Sequence, residues 1–373
     1  MRVVICGGGV IGTSIAYFLS RREVEAVVIE RSAVACAASG KSGGFLALDW
    51  CDGSPLAPLA RRSFELHAEL AAALPGKWGY RQLETLSIAA SARRRLGGAA
   101  DPALPDWVAR EALLHQRLGT SATTAQVDPA AFTRGMMAAA MERGARLLIG
   151  CVTGLARSAD EERVTGVVAD GEVVEGDAVV IAMGPWSVLA AQWLPLPTIY
   201  GLKGHSLVFR SRAPISPHAL FVEYEAEDGA VDTPEVFPRP DGTTYVCGLS
   251  SEAPLPKDPA EVVPDPGACE QLRAMAATFA PALAEAEIVA AQACYRPVAR
   301  DGLPLIGRLP GLDAIYVATG HSVWGMLNAP ATGEALAELI VDGATRTVDL
   351  ATFDPARLPP AQPAQGLRPA GRR

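Results

Sequence analysis

Gly7, Gly9 and Gly12 stand in a G-x-G-x-x-G spacing, and Glu30 places a carboxylate eighteen residues beyond the last of them. This combination suits a dinucleotide. Gly7 makes a tight turn, Gly9 lets the backbone approach a pyrophosphate, and Gly12 lets a helix pack closely on a sheet. Val10 and Ile11 complete the turn, and the free N–H groups and dipole of the helix start that follows favour phosphate. Glu30 is placed to accept hydrogen bonds from ribose hydroxyls, with Arg31 beside it. A small-residue loop, Ala37-Ala38-Ser39-Gly40-Lys41-Ser42-Gly43-Gly44-Phe45, follows and can bring backbone against a flat ligand.

The elements that must hold these residues read directly from the apolar pattern. A strand over 2–6 feeds the glycine turn, a buried helix covers 13–19, and a second strand over 26–29 ends on Glu30. Residues 56–74 carry Leu56, Leu59, Ser63, Leu66, Leu70 and Leu74 at helical spacing, with His67 inside as a structural residue. Residues 91–126 have weak periodicity and read as irregular. Asp128 caps a helix over 128–143, Pro129 suits its first turn, and Gly144 ends it. Strands follow over 146–150, 164–169, 172–175 and 178–181, with Asp170-Gly171 as a hairpin turn. The last strand runs into Gly184-Pro185-Trp186-Ser187. Residues 196–294 change to alternating strands, among them 206–210, 235–238 and 244–248, with one helix over 266–279. A strand over 314–318, the turn Thr319-Gly320-His321 and a helix over 329–341 ending at Gly343 return to the nucleotide-domain pattern.

The fold class expected is therefore α/β plus antiparallel β: a discontinuous Rossmann-like nucleotide domain with an inserted substrate domain on an antiparallel sheet. The first takes residues 1–85, 145–195 and 295–355. The second takes part of 86–144 and 196–294. The tail 356–373, rich in Pro, Ala and Arg, reads as disordered.

Bulk properties narrow the class. At 373 residues the chain can bury two structural regions, and its 49% hydrophobic and 20% charged content is that of a soluble globular protein. A net charge of −8 argues against nucleic acid as a partner. Seven cysteines without a C-x-x-C argue against a zinc site or disulfide framework and for a reducing, cytoplasmic setting. The first residues read as a core strand, which leaves no room for a cleavable signal peptide. The uncharged stretch 178–202 is broken by Gly184, Pro185, Pro195 and Pro197, so no membrane span is expected.

Three features favour FAD over NAD. The glycine turn is N-terminal, nucleotide-type elements recur near 150–187 and 295–343, and a Gly-rich turn precedes a capped helix at 320–328. A helix start aimed at the flavin pyrimidine would stabilise the charge of the reduced ring.

The segments GGGVIG, VVIAMGPWS, CYRPVARDGLPLIG and YVATGHSVWGMLNAPATGEALAELI together resemble the glycine oxidase, D-amino-acid oxidase and sarcosine oxidase superfamily over nearly the whole chain. GKSGGFLALDW with GHSVWGMLNAPATG is most similar to a branch of FAD-dependent oxidoreductases found in fungi, plants and bacteria. The resemblance implies that Gly7, Gly9, Gly12 and Glu30 hold the ADP half of FAD. Ser39, Gly40, Lys41, Ser42, Gly43 and Gly44 would lie along the flavin, and Val152 would meet the adenine region. Gly184 and Trp186 join the cofactor set. Gly320, His321, Ser322, Val323, Trp324, Gly325 and Met326 would wrap the pyrimidine end. Arg296-Pro297 matches the family's carboxylate anchor, a task for which the guanidinium fork is suited.

Two positions depart from the family pattern. Val323 and Trp324 stand where glycine oxidases carry a second substrate-binding Arg. Glu235 stands where a Tyr often meets substrate. It is either a solvent-facing strand residue or, facing the flavin, a contact for an extra amine or cation. Cys294 is either a covalent flavin link, as in sarcosine oxidases, or a buried thiol. Among the tryptophans, Trp324 is preferred over Trp50 and Trp186 as a pocket residue. The implied activity is oxidation of the C–N bond of a small, carboxylate-bearing amine by hydride transfer to flavin N5. Hydrolysis of the imine and reoxidation by dioxygen, with release of hydrogen peroxide, complete it. A dehydrogenase using a quinone or protein acceptor, and a FAD-binding regulatory protein, stay open as alternatives.

Overall fold

The computed structural model describes residues 1–97, 101–160, 163–212 and 215–361. Among these, a six-stranded sheet runs in the order Leu305–Arg308, Ile315–Thr319, Ala178–Ile181, Arg2–Cys6, Glu25–Glu30, Arg146–Ile149. All neighbours are parallel except the first pair. Arg2–Cys6 and Ala178–Ile181 are buried almost throughout, as continuous apolar runs must be when both sheet faces are covered. Helices Val10–Ser20, Ala57–Ala73, Pro129–Met141 and Gly325–Asp342 share one core with the sheet. The other face packs on an antiparallel trio, Val152–Arg157, Val164–Ala169 and Glu172–Glu175. Asp170 and Gly171 both take positive φ, 48° and 86°, as a type I′ hairpin turn requires.

The chain leaves the Arg2–Cys6 strand to build Glu25–Glu30 on one side and later Ala178–Ile181 on the other. Strand order thus reverses at the carboxyl end of Arg2–Cys6, and a crevice at such a switch point is where open α/β sheets bind ligands.

An eight-stranded sheet stands against this end. Its order is Glu287–Ala299, Ile199–Arg210, Thr243–Ser251, Glu235–Pro238, His218–Glu225, Glu84–Ser91, Leu113–Gly119, with Val231–Asp232 paired to His218–Glu225. One face is covered by helix Ala268–Phe279, through Leu272, Met275, Ala276 and Phe279. The other face is open to the cavity described below.

Three expectations need correction. The stretch 91–126 is irregular only in its first part: among the described residues, 92–97 and 101–112 form no helix or strand, but Leu113–Gly119 and Thr124–Gln126 are strands. Leu113–Gly119 is an edge strand with most side chains exposed, so it carries no apolar alternation to read. The tail is ordered at its start. Pro355–Arg357 forms a 3-10 turn, Arg357 bonds the Asp301 carboxylate and the Leu303 carbonyl, and the Ala361 N–H donates to Leu196. The rest of that expectation, from residue 362, lies outside the described residues. Lastly, the C-terminal helix begins at Gly325, not 329, and no side chain caps it. Pro330 inside it hid the first turn from a pattern reading.

Candidate active site

The six-stranded sheet, the small-residue loop and the open face of the eight-stranded sheet enclose a cavity of about 970 Å³. That is the upper end of the range for small-molecule and cofactor sites, about 300–1,000 Å³.

Its nucleotide end is built as the glycine spacing requires. Gly7 has φ +115°, and a Cβ there would lie 2.4 Å from the Ala182 carbonyl oxygen. A Cβ on Gly12 would lie 2.0 Å from the Gly7 carbonyl oxygen, so the helix rests on the turn itself. Gly7, Gly9, Val10 and Ile11 line the cavity. The Val10 N–H donates to Ser39 Oγ at 2.9 Å, which joins the helix start to the loop. Glu30 and Arg31 line the same end, together with Gly150, Cys151 and Val152. The Glu30 carboxylate is held by N–H donors of Gly8 at 2.7 Å and Ser32 at 3.0 Å.

The loop is clamped between the two sheets. The Tyr245 hydroxyl donates to the Lys41 carbonyl at 3.0 Å, Arg239 to the Ser42 carbonyl at 3.1 Å, and the Lys41 ammonium to the Ala293 carbonyl at 3.3 Å. Gly43 lies so near Phe237 that a Cβ would come within 2.4 Å of the ring. Ser39, Ser42, Gly43 and Gly44 reach the cavity. Gly40, Lys41, Gly12 and Gly320 do not line it. Gly40 packs on the Ala35 carbonyl, and Gly320 supplies a turn at φ +81°.

The far end is formed by Gly184, Trp186, His321, Ser322, Val323, Trp324, Gly325 and Met326. Ser322 has φ +50°, unusual for a residue with a side chain. His321 is buried, its Nε2 is 3.1 Å from Thr332 Oγ1, and desolvation pushes its pKa down to about 3, so the ring is neutral.

On the sheet wall, Cys294 and Arg296 come from strand Glu287–Ala299, Glu235 and Phe237 from Glu235–Pro238, and Tyr245, Cys247 and Ser250 from Thr243–Ser251. Register brings them together: Glu235 is opposite Cys247 on one side and Phe221 on the other. Arg296 donates to Ser250 Oγ. Cys247 Sγ donates to the Glu235 carboxylate at 3.5 Å. Glu235 is thus a cavity residue, not a solvent-facing one. Burial raises its pKa, against the Cys247 hydrogen bond and the Arg296 charge. Burial also raises the Cys294 thiol, against Arg296 and Lys41, so the neutral thiol is favoured.

Sequence reading missed a cluster of rings. Phe45, Trp50, Phe221 and Phe237 all line the cavity, with centroids 4.8 to 5.8 Å apart. The available signal was alternation: Phe237 lies two residues from Glu235, hence on the same face. Trp50 and Trp186 join Trp324 in the lining.

The residues fit FAD. At one end the glycine turn would hold the phosphates and the Glu30 carboxylate the ribose. At the other, Ser42 Oγ and His321 Nδ1 are buried polar atoms in cavity-lining residues, with no hydrogen-bond partner among the described residues, and would take the polar edge of a flavin.

Comparison with known proteins agrees with this geometry. The family model DAO, described as FAD dependent oxidoreductase, matches residues 2–339. The Schizosaccharomyces pombe protein C1F5.03c, whose name gives it as an oxidoreductase, is 31% identical over 95% of this chain and 97% of its own. A glycine oxidase of Pseudomonas putida is 27% identical over 95% of this chain and 98% of its own. The crystal structure of glycine oxidase from Geobacillus kaustophilus superimposes with a TM-score of 0.78 at 24% identity, covering 95% of this chain and 98% of that one. Among the described residues no helix is long and apolar enough to cross a membrane.

Proposed function

The chain belongs to the DAO family of FAD-dependent oxidoreductases, and from that premise we propose that it oxidises the C–N bond of a small amine bearing a carboxylate. The observation that carries this reading is Arg296, a guanidinium on the sheet wall of the same cavity whose opposite end is the dinucleotide cradle. Bound FAD supplies a two-electron acceptor for the hydride of a carbon attached to nitrogen.

The protein's own part is positional and electrostatic. Arg296 grips the carboxylate through paired hydrogen bonds and so fixes the distance and face of the reacting carbon. The first turn of helix Gly325–Asp342, uncapped by any side chain, presents its positive end to the cavity and favours negative charge there. Phe45, Trp50, Phe221 and Phe237 exclude water from the substrate side. His321, held neutral, is not needed as a base, because the amine reacts once it has lost its proton to solvent. The substrate leaves as an imine, which water hydrolyses to a carbonyl compound and free amine or ammonia. Dioxygen takes up the two electrons and two protons as hydrogen peroxide.

The test is an anaerobic panel of amines followed by bleaching of the flavin absorbance, then peroxide yield in air. Carboxylate-bearing amines are expected to bleach the flavin. Arg296→Ala is expected to lower kcat/KM on them about 10- to 100-fold, the worth of a charged hydrogen bond, and to change a carboxylate-free analogue much less. Equal loss on both kinds of amine would sink the anchoring role, and bleaching without peroxide would sink the oxidase reading.

A further inference from the structure

Glu235 is a carboxylate in an awkward place. It sits on the cavity face of a four-residue strand, deep in the protein, with its accessible surface turned to the cavity. Its protein partner is the Cys247 thiol, a weak donor. Among the described residues no lysine, arginine or histidine forms an ion pair with it. Arg296 is near enough for its charge to be felt but is engaged with Ser250. A carboxylate drawn away from water is costly unless a cation meets it. Two rings neighbour it, Phe221 as its register partner and Phe237 two residues on along its own strand, and aromatic faces favour a cation over an anion. Phe45 and Trp50 extend that wall, with Trp50 and Phe221 4.8 Å apart.

We infer that the substrate carries a second positive charge beyond its oxidised nitrogen, on a side chain that docks against Glu235 along this aromatic wall, as in a basic amino acid. This rests on the reading that Arg296 holds the carboxylate, and it deepens that reading by naming the other end of the substrate. The Arg296 guanidinium and the Glu235 carboxyl of the sheet wall then set a polarity. The carboxylate goes to Arg296, the distal cation goes to Glu235, and the carbon to be oxidised lies along the line between them. Glu235 acts in specificity and takes no bond-breaking part.

The experiment uses the FAD-loaded enzyme and matched pairs of substrates, lysine against norleucine and ornithine against norvaline, in both enantiomers, under anaerobic single turnover. The native enzyme is expected to favour the basic member of a pair at least tenfold in kcat/KM. Glu235→Gln is expected to bring that ratio close to one, and Glu235→Asp to keep its sign. A readout independent of turnover is the flavin difference spectrum on titration with 4-guanidinobutanoate or pentanoate. The guanidino compound is expected to bind at least tenfold more tightly to the native protein, with the advantage lost in Glu235→Gln. A basic-to-neutral ratio unchanged in Glu235→Gln overturns the inference. So does an equal loss on both members with a displaced pH profile, which would mark Glu235 as a proton acceptor. Use of neutral amino acids without preference for basic ones overturns this inference alone. Bleaching by no carboxylate-bearing amine at all overturns the Arg296 reading, and this one with it.

Discussion

His67 shows how much one buried side chain can settle away from the chemistry. Pro330 lies inside helix Gly325–Asp342 and has no N–H to give the carbonyl four residues back, Met326. His67 Nε2, from a different helix, stands 3.0 Å from that carbonyl oxygen and donates to it. Desolvation lowers the His67 pKa from 6.5 to about 4. The sign follows from linkage. The unfolded chain takes up the proton first, so the contribution is full above pH 6.5 and is lost as pH falls through the window from 6.5 towards 4. A shift of that size is worth about 3 kcal/mol, and buried His321 adds to the same acid loss. His67→Leu is expected to lower stability at pH 8 by about 1–3 kcal/mol, through the unmet carbonyl, and to shrink the further drop between pH 8 and pH 5. Urea titrations at the two pH values measure both. A pH 8-to-5 drop as large as the native one would refute the assignment. That His67 is structural was legible from its place on an apolar helix face. Its partner was not, because Met326 lies 259 residues away in sequence.

The element that ties cofactor to fold is the turn from strand Arg2–Cys6 into helix Val10–Ser20. The helix cannot approach the turn if Gly12 acquires a Cβ, which would stand 2.0 Å from the Gly7 carbonyl oxygen. Gly12→Ala is expected to yield protein with little bound FAD and a melting temperature several degrees lower. Gly154→Ala, at a strand position where a Cβ meets nothing within 4 Å, serves as the control and is expected to stay yellow. A Gly12→Ala protein that purifies with full FAD content would show that the turn tolerates displacement. Local elements such as this one were readable because turn, helix and strand are each specified within a few residues of one another. The Leu113–Gly119 edge strand was not, since exposed strands carry no apolar alternation. Nor was the true start of the last helix, where Pro330 reads as a break although Ser63 Oγ, from a neighbouring helix, accepts the next N–H, that of Ala331, at 3.1 Å.

At the scale of the molecule, the cavity is shared by two sheets and a loop clamped between them, so a cofactor bound there would help join the halves. Removal of FAD is expected to lower the melting temperature, and added FAD to restore it by RT ln(1 + [FAD]/Kd), about 2.7 kcal/mol at a hundredfold excess over Kd. A melting temperature indifferent to FAD would show that the halves hold together without it. The same holoprotein decides the place of Cys294. Its thiol is kept protonated by burial, and trichloroacetic acid is expected to leave the yellow colour in the supernatant. Colour retained in the pellet would instead mark a covalent link.

The amino-acid sequence by itself determined the dinucleotide turn, the parallel strands beside it and the assignment to FAD. The turn and the strands rest on spacings of a few residues, where backbone conformation and side-chain size are dictated locally, and the assignment to FAD on nucleotide-type elements recurring near 150–187 and 295–343. Only the tertiary structure decided which side chains share the cavity beside the eight-stranded sheet. Trp50, Phe221, Glu235, Cys247 and Arg296 come from segments spread over nearly 250 positions, joined in a strand order that is not the chain order. Period-two alternation divides each strand into two faces but does not say which face meets the ligand. Glu235, readable in sequence as solvent-facing or flavin-facing, became a cavity residue when its strand paired with Thr243–Ser251 and His218–Glu225, while Val236 beside it turned into the opposite core.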